Sequence, residues 1–196
     1  MRTIFHPPLI AALWPTENRV AEAMRVVALA VLGSALLWAS AKAQVPFWPV
    51  PMTMQTYVVL VLAAAYGPRL GLATLLLYLA EGAVGLPVFA GTPERGLGLA
   101  YMTGPTAGYL AGFVVATAVI GTLAERGWDR SLPRMIAAMT LGHGLILAIG
   151  WAWLAGLMGA EAAYAAGVAP FWAATVLKTA LAGATLPAAW RLVRQD

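Results

Sequence analysis

Long apolar runs separated by short polar breaks dominate this chain. Six of them can be drawn as helical spans, from about Met24 to Ala41, Gln55 to Tyr66, Leu70 to Val84, Thr106 to Ala124, Met135 to Leu157 and Pro170 to Leu192. The runs are apolar all round. They lack the alternation over segments of about ten residues that a membrane β-barrel requires. The pattern therefore predicts an all-α integral membrane protein of six transmembrane helices. About 20 residues cross a bilayer perpendicularly, so the second and third runs fall short. They are expected to be assisted by flanking backbone that is itself buried in protein.

Composition supports the same class. The chain has 196 residues, 61% apolar and 10% charged, against about 25% charged in soluble domains. Charge then sets the sidedness. With both termini in the cytoplasm, Arg2, Arg19, Arg25, Arg69, Arg126, Arg130, Arg134, Arg191 and Arg194 all lie on the cytoplasmic side, and only Lys42 and Arg95 lie outside. That asymmetry satisfies the positive-inside rule. It also accounts for the formal charge of +4 without a nucleic-acid partner. We expect a single transmembrane domain over residues 1–196. Residues 1–23 would be a juxtamembrane lead-in that lies on the membrane surface, and residues 24–192 the six-helix bundle. The stretch ASAKA after the first run offers small-x-small cleavage sites, but the charged region before the run would be unusually long for a signal peptide, so no cleavage is expected.

One charge does not fit the breaks between runs. Lys178 stands inside the sixth run, APFWAATVLKTALAGATLPAAW. A lysine at bilayer depth costs roughly 2.5–3.5 kcal/mol on insertion scales and needs a partner or a polar cavity. Thr175 lies three residues earlier, on the same helix face. Two external loops sit above this lysine. The first, AQVPFWPVPMTMQTY, interleaves Pro46, Pro49 and Pro51 with Phe47, Trp48 and Val50, making a stiff apolar ribbon. Such a ribbon serves either as an aromatic interfacial belt or as a lid over a pocket. Thr53, Gln55 and Thr56 follow it and offer neutral hydrogen-bonding groups. The second loop, EGAVGLPVFAGTPERGLGLAYMTGPTAGYL, has glycines at 82, 85, 91, 96, 98 and 104, which permit positive φ and close backbone approach. Glu81 at its start caps backbone, pairs with Arg95 or meets ligand. Thr106 suits a helix N-cap. Ala107, Gly108, Ala111 and Gly112 favour tight packing between spans. His143 is expected to hydrogen-bond between helices.

Several chemistries fail on inventory. There is no cysteine, and His6 and His143 are too far apart to read as a metal-ligand pair. The three serines, Ser34, Ser40 and Ser131, sit in no nucleophile motif, and no H-E-x-x-H occurs. The run VLKT ends like a phosphate-binding loop but lacks the glycine-rich lead. No enzyme activity, no metal and no cofactor are expected.

The segments VPFWPVPMTMQT, YGPRLG, YLAEGAVGLPVFAG, GPTAGYLAGF and LAERG occur in an order that resembles the BioY family, the biotin-binding S components of energy-coupling-factor (ECF) vitamin transporters. The likeness covers about Val45 to Lys178. It implies the six-helix S-component fold in a bacterial inner membrane, with biotin held near the external face under the first loop. The ligand-binding set it implies is Phe47, Trp48, Pro51, Thr53, Gln55, Glu81, Phe89, Gly91, Tyr109, Thr175 and Lys178. Lys178 would either donate to the urea oxygen or pair with the carboxylate. A different small vitamin or a biotin precursor is the alternative ligand. The resemblance also implies an ECF module of a membrane coupling subunit and two ATPases, or solitary function. Small residues on the first helix, Ala30, Ser34, Ala35 and Ala39, are the expected contacts with the coupling subunit. One departure stands out. The family pattern has an aspartate preceded by glycine where this chain has Thr175 and Ala174. That predicts a lysine deprotonated when no ligand is bound or a compensating acid nearby, with Glu81 the candidate.

Overall fold

A computed structural model of the chain describes residues 6–45 and 48–193. Its helices, in chain order, are α1 (Leu9–Leu13), α2 (Arg19–Lys42), α3 (Gln55–Ala83), α4 (Gly98–Met102), α5 (Ala107–Glu125), α6 (Leu132–Met158), α7 (Ala160–Gly167) and α8 (Trp172–Val193). A two-residue ribbon pairs β1 (Gln44–Val45) with β2 (Met52–Thr53) antiparallel, Gln44 opposite Thr53. Among the described residues, five helical stretches are long and apolar enough to cross a membrane: α2, α3, α5, α6 and the stretch Ala160–Val193.

The five stretches make six crossings, because α3 is a hairpin of two legs. Gly67 has φ 75° and ψ 177°, a conformation open in practice only to glycine. Pro68 follows, where a helix start tolerates the missing N–H. The legs, 55–66 and 68–83, then run back along each other. Gln55 Nε2 donates to Tyr78 Oη at 2.8 Å, whereas a straight helix would hold these residues roughly 34 Å apart. A side chain added at Gly71 would stand 3.3 Å from the Cα of Ala63. The legs span only roughly 18 and 24 Å by helical rise. Both crossings are thus shorter than the bilayer core, as the run lengths predict.

Glycines let the central helices approach to backbone contact. On α5, Gly121 faces the reversal, where an added Cβ would lie 2.5 Å from Pro68 N and 2.8 Å from Gly67 C. Gly112 faces Ile146 Cα at 2.9 Å and Gly108 faces Ile149 O at 2.8 Å, both on α6. The small-residue cluster at the start of α5 is therefore a helix-packing seam. Leu60, Ala63, Tyr78, Ala116, Ile120 and Met139 fill the centre and are fully buried. Thr106 stands at the N-cap of α5 but makes no side-chain capping bond.

Of the five stretches, α2 is the least enclosed by the bundle. Ser34 is buried and donates to the Glu81 carboxylate of α3. Ala30 is half-buried, while Ala35 and Ala39 are exposed. The four small residues expected to form one partner-facing set thus split, because successive helix positions are rotated about 100°. The Ala30 and Ser34 ridge turns toward α3 and only Ala35 and Ala39 face outward.

Charged residues knit the two ends of the bundle. At the end opposite the ribbon, Asp129 in the short turn Trp128–Arg130 is 1% exposed. It accepts from Trp190 Nε1 of α8 at 2.5 Å, and the Arg130 guanidinium lies 4.2 Å above the Trp190 ring. Removal from water raises the Asp129 pKa, against the smaller opposing effects of Trp190 and Arg130. The folded state therefore holds this proton more tightly than the unfolded chain does. The stability it contributes is complete below the usual carboxylate range and is lost as pH rises through the raised pKa. The melting temperature of the wild type relative to Asp129→Asn should rise as pH falls from about 7 toward about 4.5. A difference that does not move with pH would contradict the assignment.

Candidate ligand-binding site

At the other end, the two external loops interlock. Lys42 at the end of α2 donates from Nζ to the carbonyls of Phe89 at 3.1 Å and Thr92 at 2.9 Å, and to Thr92 Oγ1 at 3.0 Å. Arg95 reaches back to the first loop, donating to Pro49 O at 2.6 Å and standing 5.4 Å from the Trp48 ring centroid. The Tyr78 and Tyr101 hydroxyls donate to the carbonyls of Val88 at 3.0 Å and Ala90 at 2.9 Å. Backbone carbonyls of an irregular loop need such donors when water is scarce.

Beneath these loops lies a cavity of about 60 Å³ between the ribbon, α3, α5, α6 and α8. Pro51, Thr53, Gln55, Tyr109, Thr175 and Lys178 line it together, so residues up to 127 positions apart in sequence meet. Lys178 is 8% exposed. Its Nζ donates to the Thr53 carbonyl at 2.6 Å, which joins α8 to the last residue of the ribbon. Gln55 spends its amide N–H on Tyr78, which leaves its carbonyl oxygen for another donor. The Tyr109 hydroxyl donates to Gly167 O at 2.7 Å, so Tyr109 presents mainly its ring to the cavity.

The other expected site residues stand elsewhere. Phe89 is 1% exposed, stacked on Tyr101 at 4.8 Å and edge-on to Tyr78 at 5.5 Å. Its ring fills the space that the missing side chain of Gly82 leaves. Gly91 has φ +72° and packs under the Arg95 side chain, away from the cavity wall. Trp48 is 77% exposed and sits against Arg95. Phe47 lies outside the described residues. Glu81 is engaged by Ser34 and does not line the cavity, so the acid expected to compensate Lys178 is occupied on another helix pair. A backbone carbonyl dipole serves the lysine in its place.

Thr56, expected to offer a hydrogen-bonding group there, also faces the cavity, and sequence reasoning missed Ala90, Tyr101, Thr106, His143 and Phe171 as part of its lining. Thr106 reads in the sequence as a local N-cap, and Thr56 as one of the hydrogen-bonding groups that follow the ribbon. Nothing in their spacing shows that the ends of α3 and α5 converge. Lys178 brings the charge to the described lining, and that lining holds no carboxylate. A buried ammonium among hydroxyls, an amide and aromatic rings suits a ligand with an anionic or carbonyl oxygen on a partly apolar body. A larger hollow of about 700 Å³ lies between α6, α7 and α8. It is lined by exposed Trp151, Trp172 and Val176 and carries no charged residue. An apolar hollow open at the level of the spans suits lipid chains better than a polar solute.

Comparisons with known proteins give the family and the fold. The chain is 37% identical over 156 residues to a probable biotin transporter BioY of Pyrococcus horikoshii, covering 80% of this chain and 90% of the relative. It is 37% identical over 127 residues to a biotin transporter BioY of Thermotoga maritima, covering 65% of this chain and 72% of that one. In fold it matches the crystal structure of the S component for biotin from an ECF-type ABC transporter. That match has a TM-score of 0.76 at 19% identity, over 92% of this chain and 96% of the other. The fold is therefore that of an S component, and the protein is a multi-pass membrane protein. The model of the BioY family matches residues 15–195, so this chain belongs to the BioY family.

Proposed function

We propose that this protein captures biotin from the external side and delivers it for uptake. The observation that carries the reading is Lys178, buried beneath the ribbon at the wall of a cavity that also holds uncharged hydrogen-bonding groups and aromatic rings. The ring head of biotin enters this cavity. Its urea oxygen replaces the Thr53 carbonyl on Lys178, Gln55 and the threonine hydroxyls serve the remaining polar atoms, and Tyr109 and Phe171 flank the apolar body. Pockets for small molecules run to about 300–1,000 Å³, so the cavity has to widen. A second hollow, of about 380 Å³ between the ribbon and α8, shares Thr53 and Lys178 with the cavity. Releasing the Lys178 bond to Thr53 joins the two, leaving room for the acid tail.

Transport would draw on an ECF module, its coupling subunit seated on the exposed face of α2 that includes Ala35 and Ala39, or would proceed without one. Titration calorimetry of the purified chain tests the ligand. Biotin should give saturable heat at micromolar concentration, while thiamine, whose ring is cationic, should be excluded by Lys178. A folded preparation that gives no heat with biotin, or that prefers thiamine or riboflavin, would refute the reading.

A further inference from the structure

One polar side chain at the cavity has no role in the description above. His143 of α6 is 2% exposed and lines the cavity beside Thr175 and Lys178. Its Nδ1 lies 3.0 Å from the carbonyl of Met139, one turn back on the same helix, and 3.0 Å from Thr179 Oγ1 on α8. A carbonyl can only accept, so Nδ1 carries the hydrogen and shares it between the two oxygens. In the neutral ring that assignment makes Nε2 a bare acceptor. Nε2 is buried and has no hydrogen-bond partner among the described residues. Buried polar atoms are nearly always paired, and an orphan in a native fold calls for an explanation.

The cavity's own inventory supplies one. Its acceptors are all uncharged: the Gln55 carbonyl oxygen, hydroxyl oxygens and His143 Nε2. The ammonium of Lys178 only donates and the described lining holds no carboxylate, while His143 Nε2 is the buried acceptor there that has no hydrogen-bond partner among the described residues. A ligand presenting a carbonyl oxygen flanked by N–H groups needs acceptors as well as a cation. We propose that His143 is a ligand-contacting residue whose Nε2 accepts a hydrogen bond from a ring N–H of the bound cyclic urea. Thr179 is a positioning residue, which with the Met139 carbonyl fixes the tautomer and the ring plane. The inference rests on the biotin reading and adds to it the group that distinguishes a urea from a mere carbonyl.

Two measurements on the full-length protein test it. The chain has two histidines, His6 and His143, so ring-nitrogen NMR of histidine-labelled protein can be assigned with one His143→Gln variant. The free protein should show an unprotonated Nε2 on His143, and biotin should shift it in the direction of hydrogen-bond acceptance. In calorimetry, the wild type should bind biotin about tenfold or more tightly than the cyclic carbamate analogues in which one or other ring N–H is replaced by oxygen. His143→Phe should lose that discrimination, and His143→Gln, which restores an acceptor, should recover part of it. An Nε2 that carries a proton in the biotin complex, or a His143→Phe variant that discriminates as the wild type does, would overturn the assignment. If His143→Phe does not fold, the NMR measurement on the wild type still decides. A wild type that does not bind biotin removes the functional reading and this inference with it, whereas one that binds biotin with Nε2 unmoved removes this inference alone.

Discussion

Replacing Lys178 by methionine should weaken biotin binding about 30-fold or more. The substitution keeps the apolar stem and deletes the ammonium that donates to Thr53 O at 2.6 Å. Truncating one partner of a buried, hydrogen-bonded charge costs about 2–5 kcal/mol, and each 1.4 kcal/mol is tenfold in affinity. Two chemistries are possible for the contact, and one comparison separates them. If Lys178 meets the urea oxygen, biotin and its carboxamide should lose affinity alike in Lys178→Met. If it meets the carboxylate, the wild type should already bind the carboxamide poorly, and the substitution should cost it little more. A Lys178→Met variant that binds biotin as the wild type does would place the ligand elsewhere in the molecule. The variant should still fold, since α8 remains anchored at its other end by Leu186, Gly183 against Ile136, and Trp190 on Asp129.

The second large effect concerns folding. Gly121→Ala should lower the melting temperature of the detergent-solubilised protein severely, or prevent its recovery in folded form. The added methyl would stand 2.5 Å from Pro68 N and 2.7 Å from Pro68 Cα. Those are backbone atoms of a reversal already fixed by Gly67 and Pro68, so no side chain can swing aside. Overpacking of a tight core costs typically 1–3 kcal/mol and occasionally more, and a clash with backbone belongs at the upper end. Gly156→Ala in α6 is the control. An added Cβ there meets nothing within 4 Å, and exchanging glycine for alanine inside a helix is neutral or favourable by up to about 1 kcal/mol. Equal melting temperatures for the two variants would show that α5 does not rest on the α3 reversal.

Some elements were legible in the sequence because their cause is local. The polar break around Arg69 divides α3 into two runs, and Gly67 with Pro68 permits a reversal within a single residue. The Gly108 and Gly112 pair announced close packing, although not that α6 would be the partner. Other elements were not legible. The eight residues of α7 carry no distinctive polar boundary, and their apolar composition blends into the loop between two spans. The ribbon depends on Gln44 meeting Thr53 across the proline-rich loop, and prolines read along the chain suggest stiffness rather than pairing.

The candidate site divides in the same way. Thr53, Gln55, Thr175 and Lys178 carry hydrogen-bonding groups visible in the sequence, and the fold brings them together. Phe89 and Trp48 offer rings, and an aromatic residue on a loop can serve either side of that loop. Phe89 went inward to cover Gly82, and Trp48 outward against Arg95. Glu81 is readable as a cap, a partner of Arg95, a ligand contact or the acid that compensates Lys178, yet Ser34, 47 residues away, is the neighbour that takes it.

The sequence by itself determined the six crossings and the presence of a single lysine within a span. Hydropathy and charge are sums over neighbouring residues, so they are readable in one dimension. Only the tertiary structure decided what that lysine touches and which acceptors face it. Its partner is a backbone carbonyl 125 residues away, and every residue in the chain has a carbonyl. Nothing in a residue's identity marks which one the packing of helices will deliver.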